Sequence, residues 1–208
     1  MVPPTYDLDV FINCPFDAQY ADMFHALVFA VHDAGFRSRC ALERSNAAET
    51  RIAKIMRIIA ECRYGVDDIS RTELDQTNQL PRFNMPLELG IFLGSHGFGD
   101  ADQRRKACLV LDREPYRYQK FISDLAGQDV YSHGGVPEGA IREVCNWLRT
   151  ESGSTMIPDA DDMGHRFTAF QIDLPVICRS LPRPMNPAKL QYGVYVHVVT
   201  QWIIRNTP

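Results

Sequence analysis

No apolar run in this chain approaches the roughly 18 residues that a membrane-spanning helix needs. The sequence also has no CxxC pair and no histidines at metal-ligand spacing, so neither a zinc site nor any other metal centre is expected. Its first residues, Met1-Val-Pro-Pro-Thr-Tyr-Asp7, lack the basic and apolar blocks of a secretory signal. Positive charge is not in excess either: the formal net charge is -4, which argues against direct nucleic-acid binding. Internal repeats and low-complexity tracts are missing as well. Together these absences point to a cytoplasmic protein without a membrane partner, a metal or a bound cofactor.

What is present suits one globular domain with some decoration, since 208 residues with 45% hydrophobic content can bury a substantial core. Six scattered cysteines read as reduced thiols, mostly small core residues. Cys14 is set apart by its place at the end of an expected strand, where a reactive thiol would need electropositive surroundings.

Short apolar runs alternate with helical periodicity. Strands are expected at 8–13, 36–42, 64–69 and 107–112, with an edge strand at 129–131. Between them, 18–34 carries Met23, Leu27 and Val31 on one face, and Gly35 is a natural stop. A second helix starting at Ser45 or Asn46 would bury Ile52, Ile55, Met56 and Ile59, with Arg51, Lys54 and Arg57 on a solvated face. A third would be capped by Asn84, hold Pro86 in its first turn and bury Leu87 and Ile91. The segment 114–125 reads as helical, and 137–149 as an amphipathic helix. This alternation predicts an α/β fold: a flavodoxin-like open parallel sheet with helices on both faces, over residues 1–151. Residues 152–208 read as a mainly helical extension, with a polar linker to 164 and helices at 167–178 and 187–204. The run 192–199 could instead be a strand.

In such sheets ligands bind beyond the carboxyl ends of the strands, where strand order reverses. Three segments would meet there: Asn13-Cys-Pro-Phe-Asp17, Asp67-Asp-Ile-Ser-Arg71 and Arg82-Phe-Asn-Met-Pro-Leu-Glu88. They supply carboxylates (Asp17, Asp67, Asp68, Glu88), amides (Asn13, Asn84), arginines (Arg71, Arg82) and rings (Phe16, Phe83), with Tyr20 close by. Glu88, in the first turn of its expected helix, is either a dipole-stabilised ornament or an exposed nucleophile. Asp17 can equally be a helix cap, and Arg71 and Arg82 surface cations.

These residues resemble the nucleoside 2-deoxyribosyltransferase superfamily, which includes nucleotide N-glycosidases. The resemblance spans residues 8–150 and rests on the Pro15-Phe16 turn, an Asp closing the third strand (Asp67 or Asp68) and the Glu88-Leu-Gly90 signature. It implies that Glu88 attacks the anomeric carbon of a sugar while a second carboxyl, Asp67 or Asp68, protonates the leaving base. Asn13 or Asn84 would orient ribose hydroxyls, and Phe16, Tyr20 or Phe83 would stack on the base. Arg71 or Arg82 would hold a phosphate, with Pro15, Asp17 and Met85 completing the pocket. The chain departs from the family at Asn84-Met-Pro86, where a small Gly/Thr or Gly/Ser element is usual, and at Asn13-Cys14, which replaces Ala-Gly. Residues past 151 have no counterpart in the compact enzymes.

The expected substrate is a nucleoside, a nucleotide or NAD. Related folds act in anti-phage defence. Two other functions use the same layout: a Toll-receptor-like (TIR-like) NAD glycohydrolase, and a non-catalytic sensor of a nucleotide signal. A homo-oligomer, in the first instance a dimer, is expected from the apolar residues after Gly164: Phe167, Phe170, Ile172 and Val176, then Val198, Trp202 and Ile204.

Overall fold

The computed structural model describes residues 2–74 and 79–207. Part of the polar run 70–83, namely 75–78, lies outside the described residues. Five parallel strands form one open sheet in the order β2-β1-β3-β4-β5. They are β1 (Asp9–Asn13), β2 (Arg37–Arg39), β3 (Tyr64–Asp68), β4 (Ala107–Asp112) and β5 (Val130–Ser132). The helices are α1 (Ala21–Asp33), α2 (Arg51–Glu61), α3 (Asn84–Phe98), α4 (Pro137–Ser152), α5 (Ala160–Ser180) and α6 (Tyr192–Asn206). This is the expected flavodoxin-like α/β arrangement with a helical C-terminal part. No helix of the described residues is long and apolar enough to cross a membrane.

Strand parity divides the core in two. Val10, Ile12, Val66, Leu109 and Leu111 face α1 and α4. Phe11 packs with Ile55, Ile58, Ile59 and Phe92 of α2 and α3, and Val110 with Met85 and Leu89. Both faces of β1 and β3 are covered, which is why their sequences are buried at every position. Gly65 lets α3 approach closely, because a Cβ there would stand 2.8 Å from the Phe92 ring.

Two helices are rotated from their expected phase. In α2 the buried residues are Ile55, Ile58 and Ile59, while Ile52 and Met56 are exposed. The helix starts later than expected: Thr50 caps it, accepting from the Ala53 N–H at 3.3 Å. Its cations are not simply solvated, since Lys54 donates to the carbonyls of Ala41 and Arg44, each at 2.8 Å. In α3 the buried row is Met85, Glu88, Leu89 and Phe92, and Leu87 is 57% exposed. Asn84 is the first helical residue rather than the cap; Phe83 holds the cap position with no side-chain hydrogen bond. The segment 114–125 forms two short 3₁₀ turns, Arg117–Lys120 and Ser123–Leu125, after a left-handed Tyr116 (φ 58°). Pro115 and this reversal prevent a continuous helix.

The C-terminal helices cover α1. Phe167 and Phe170 of α5, and Tyr195, Val199 and Trp202 of α6, join the same core as α1 and α4. Helix α5 begins at Ala160, earlier than the expected linker end, because Asp159 accepts from the Asp162 N–H at 2.9 Å. The run 192–199 is helical, with Tyr195, Val198, Val199 and Trp202 on its buried side. Polar fastenings hold the layer down. Arg166 grips Asp33 through Nε (3.0 Å) and Nη2 (2.8 Å), and the Tyr192 hydroxyl donates to the Ser38 carbonyl at 2.6 Å. Much of the apolar surface that suggested a dimer is thus covered within the chain, leaving Ile172, Val176 and Ile204 exposed.

Candidate functional site

The register of β1 on β3 sets Asn13 beside Asp67 at the point where strand order reverses. Asn13 Nδ2 donates to Asp67 Oδ1 at 2.7 Å and to the Met85 carbonyl at 2.8 Å. The second bond ties the start of α3 to the sheet. Asp67 Oδ2 accepts from the Cys108 thiol at 3.2 Å. Full burial pushes the Asp67 carboxyl up to about 6, against the lowering effect of the Asn13 amide and the Cys108 thiol.

Beside this cluster lies a cleft of about 320 Å³. Its walls include Asn13, Pro15, Phe16, Asp17, Asn84 and Glu88. Glu88 belongs to the second turn of α3, not the first, and is only 4% exposed. Burial pushes its carboxyl up to about 7, with Arg51 lowering it and Asp67 raising it. Arg51 Nη2 stands 3.9 Å from Glu88 Oε1. A carboxylic acid half-ionised near neutrality at the mouth of a cleft is suited to chemistry that a fully solvated glutamate does poorly.

Most of the expected binding residues gather here. Met85 and Arg82 also line the cleft, and Arg82 Nη1 is 3.9 Å from Asp17 Oδ2. Asp17 is no cap of α1; its Oδ1 accepts from the Gln19 N–H at 3.1 Å and its Oδ2 pairs with Arg71. The Phe16 ring stands edge-on to Phe24, with centroids 5.2 Å apart. Phe83 is exposed and does not line the cleft. The Cys14 thiol lines it, yet burial and the neighbouring carboxylates push its pKa well up, opposite to an activated thiol.

Asp68, Tyr20 and Arg71 are not part of this cleft. Asp68 follows Asp67 on β3, so it faces the α1/α4 side, where it accepts from the Tyr20 hydroxyl and from the Ser70 N–H at 2.8 Å. His133 Nε2 is 3.2 Å from Asp68 Oδ2. The first residues after β3 are pinned by Arg117. That side chain bonds Asp112 Oδ1 (2.8 Å), Thr72 Oγ1 (2.7 Å) and the Ser70 carbonyl (2.5 Å).

The places of Arg51 and Leu42 on the cleft wall, and of His133 against Asp68, have no sign in the sequence. A usable sign for the glutamate itself was its position on the apolar row 85, 88, 89, 92, because a charged residue there is held for a reason other than solubility. Among the described residues, no group of three or more His, Cys, Asp or Glu side chains could hold a metal ion.

The fold and this cleft define an open parallel α/β protein with a buried carboxyl pair at the switch point of its sheet. Comparison of the chain with protein-family models, with curated proteins and with solved structures finds no match.

Placing the two adjacent aspartates on opposite faces has a measurable consequence. Asp67→Asn is expected to shift the amide NMR signals of Asn13, Met85 and Glu88 around the cleft, through loss of its charge and of its hold on Asn13. Asp68→Asn should leave those signals near their parent positions, since its contacts lie on the other face. Amide spectra of both variants check this, and equal shifts around the cleft would contradict the division.

Proposed function

We propose that the protein cleaves the N-glycosidic bond of a nucleoside, a nucleotide or NAD, with Glu88 as nucleophile. The observation that carries this reading is a glutamate buried in a cleft, its carboxyl near neutrality, beside an arginine and next to a second buried carboxyl. In the first step a Glu88 carboxylate oxygen bonds to the anomeric carbon. The C–N bond breaks and its electron pair leaves with the base; a purine or pyrimidine takes a proton from solvent, which the second step returns, while nicotinamide, cationic when bound, leaves neutral without one. Water then cleaves the sugar ester and frees Glu88; an acceptor base in place of water would make the reaction a transfer. Asn13 uses its Nδ2 hydrogens on Asp67 and Met85, which leaves its Oδ1 to accept from a sugar hydroxyl. Asp67 does not line the cleft, so its role is to set Asn13 and the charge around Glu88.

The nucleophile must be ionised. Base release is therefore expected to rise with pH through about 7, the value to which Glu88 is pushed. The Arg51 charge favours the carboxylate, so Arg51→Gln should move the midpoint to higher pH. A rate profile from pH 5 to 9 on both proteins checks the sign; a midpoint that moves down in the variant refutes it.

The decisive experiment is incubation of the pure protein with nucleosides, nucleoside monophosphates and NAD, followed by chromatography for free base. Free nicotinamide from NAD alone selects the TIR-like activity. Saturable binding with no base released from any of them replaces this reading with a nucleotide sensor.

A further inference from the structure

The Glu88 cleft is continued on the far side of Phe16. A recess of about 210 Å³ lies there, and Phe16, Asp17 and Leu42 line both spaces. One wall of the recess is the start of α1, with Phe24 and His25. The opposite wall is the C-terminal layer: Ala188 and Leu190, then Tyr192 and Tyr195 of α6. The recess therefore exists only because that layer folds back over α1.

Its inner surface is held in place. The Tyr192 hydroxyl donates to the Ser38 carbonyl at 2.6 Å, and the Tyr195 hydroxyl to the His25 carbonyl at 3.2 Å. The His25 ring stacks on Tyr195, with centroids 4.1 Å apart and 18° between planes. These rings are tied back rather than free to swing into the space. At its open side stand Ala18, Ala21 and Ala188, which are too small to fill it. A space kept open by fixed aromatic walls is already shaped for a ligand and loses little freedom on binding one.

The cleft and the recess differ in polarity. Asn13, Asn84, Arg51, Arg82 and Glu88 all line the cleft. Among the described residues, no Lys or Arg lines the recess, and its carboxylate, Asp17, is already paired with Arg71. A phosphate has nothing to bind there. The polar group left over is His25, whose ring nitrogens make no hydrogen bond among the described residues. Burial lowers its pKa below the usual histidine value, against the raising effect of Asp22. The ring is thus neutral at pH 7 and offers one donor and one acceptor. A flat ring with hydrogen-bonding atoms on its edge, attached to a polar partner, matches this pair of spaces.

We propose that the recess is the base subsite of the Glu88 cleft. The sugar lies among Asn13, Asn84 and Glu88, and the heteroaromatic base it carries passes Phe16 and lodges between α1 and the C-terminal layer. What is cut rests on the N-glycosidase reading; what is bound does not. The choice of base then falls to His25, which reads the edge of the ring, and to Ala188, whose small side chain sets the size admitted. The C-terminal segment is in this way part of the site and not only a cover for α1.

The test uses the full-length protein carrying Glu88→Gln, so that binding is read without turnover. Adenine, cytosine and nicotinamide are titrated separately and followed by amide NMR shifts. At least one of them is expected to give saturable shifts at Ala21, His25 and Ala188, and the matching nucleoside to add shifts at Asn13 and Asn84. Ala188→Trp, a change at an exposed position that fills the recess, should weaken base binding by about tenfold or more. His25→Phe keeps a ring but removes both edge contacts, and should weaken it by about fivefold. Thermal melts verify that both variants are folded. No shift at these amides with any base up to about 10 mM overturns the subsite, as does binding that neither variant weakens. Base binding in a protein that releases no base defeats the glycosidase reading alone. Base release that continues undiminished when Ala188→Trp is placed in the chain with Glu88 intact defeats the subsite alone.

Discussion

Glu88→Gln is expected to abolish base release and, in the same protein, to raise the melting temperature at pH 8. The first effect follows from chemistry: the amide keeps the shape of the side chain but cannot bond the anomeric carbon, so the rate should fall by at least about 10³-fold. The second follows from burial. The Glu88 carboxyl titrates at about 7 in the folded protein, against 4.5 for an unperturbed glutamate. The folded state therefore holds this proton more tightly than the unfolded state. Its contribution to stability is fully present below pH 4.5 and is lost as pH rises through about 7. At pH 8 the ionised side chain costs about 3 kcal/mol, a cost that Gln escapes because it does not ionise. The gain should shrink toward zero near pH 4–5. Paired melts at pH 5 and pH 8 measure it; a variant less stable than the parent at both pH values would show that Glu88 is held by structure rather than kept for reaction. A mutation that removes activity while adding stability is the mark of a strained functional group.

The largest loss of stability is expected from Phe170→Ala. Phe170 is fully buried on α5, with ring centroids 5.4 Å from Phe29, 5.6 Å from Trp202 and 5.9 Å from Tyr195. It thus touches α1 and α6 at once. Truncation removes the ring's transfer energy and leaves a cavity that three rigid neighbours cannot close, at about 3–5 kcal/mol. Ile172→Ala, on the exposed side of the same helix, should stay within about 0.5 kcal/mol. Urea unfolding of the two variants measures the difference. Similar small losses in both would mean that α5 does not cover α1 in solution.

The sheet was legible because its strands are short apolar runs bounded by polar turns, a pattern that burial on both faces imposes. The opposite orientation of Asp67 and Asp68 was legible too, since adjacent strand residues alternate. Their position relative to the Glu88 cleft was not. It depends on the phase of α3 and on the start of α1, and helical phase is ambiguous in a sequence where two apolar rows lie side by side. In α2, Ile52 and Met56 compete with Ile55, Ile58 and Ile59, and only contact with the sheet decides between them. In α3 the true row contains Glu88, and counting that residue as polar shifts the assignment to Leu87. Arg51 and His133 come from segments distant in sequence from Glu88 and Asp68, so no spacing links them to their partners. The valine-rich start of α6 favours a strand by local preference; one-sided packing on α1 overrides it.

Helix α1 ends up between the sheet and the C-terminal layer, its residues Ala26 to Val31 without solvent contact. This has a consequence for how the chain is made. The ribosome releases α1 early, but the helices that cover its outer side emerge only after the whole sheet has been synthesised. Throughout that interval the nascent chain carries a bare apolar helix, the kind of surface that chaperones hold and that aggregation recruits. A ribosome stalled between α4 and α5 would therefore hold an intermediate with all five strands available and no means of closing its core.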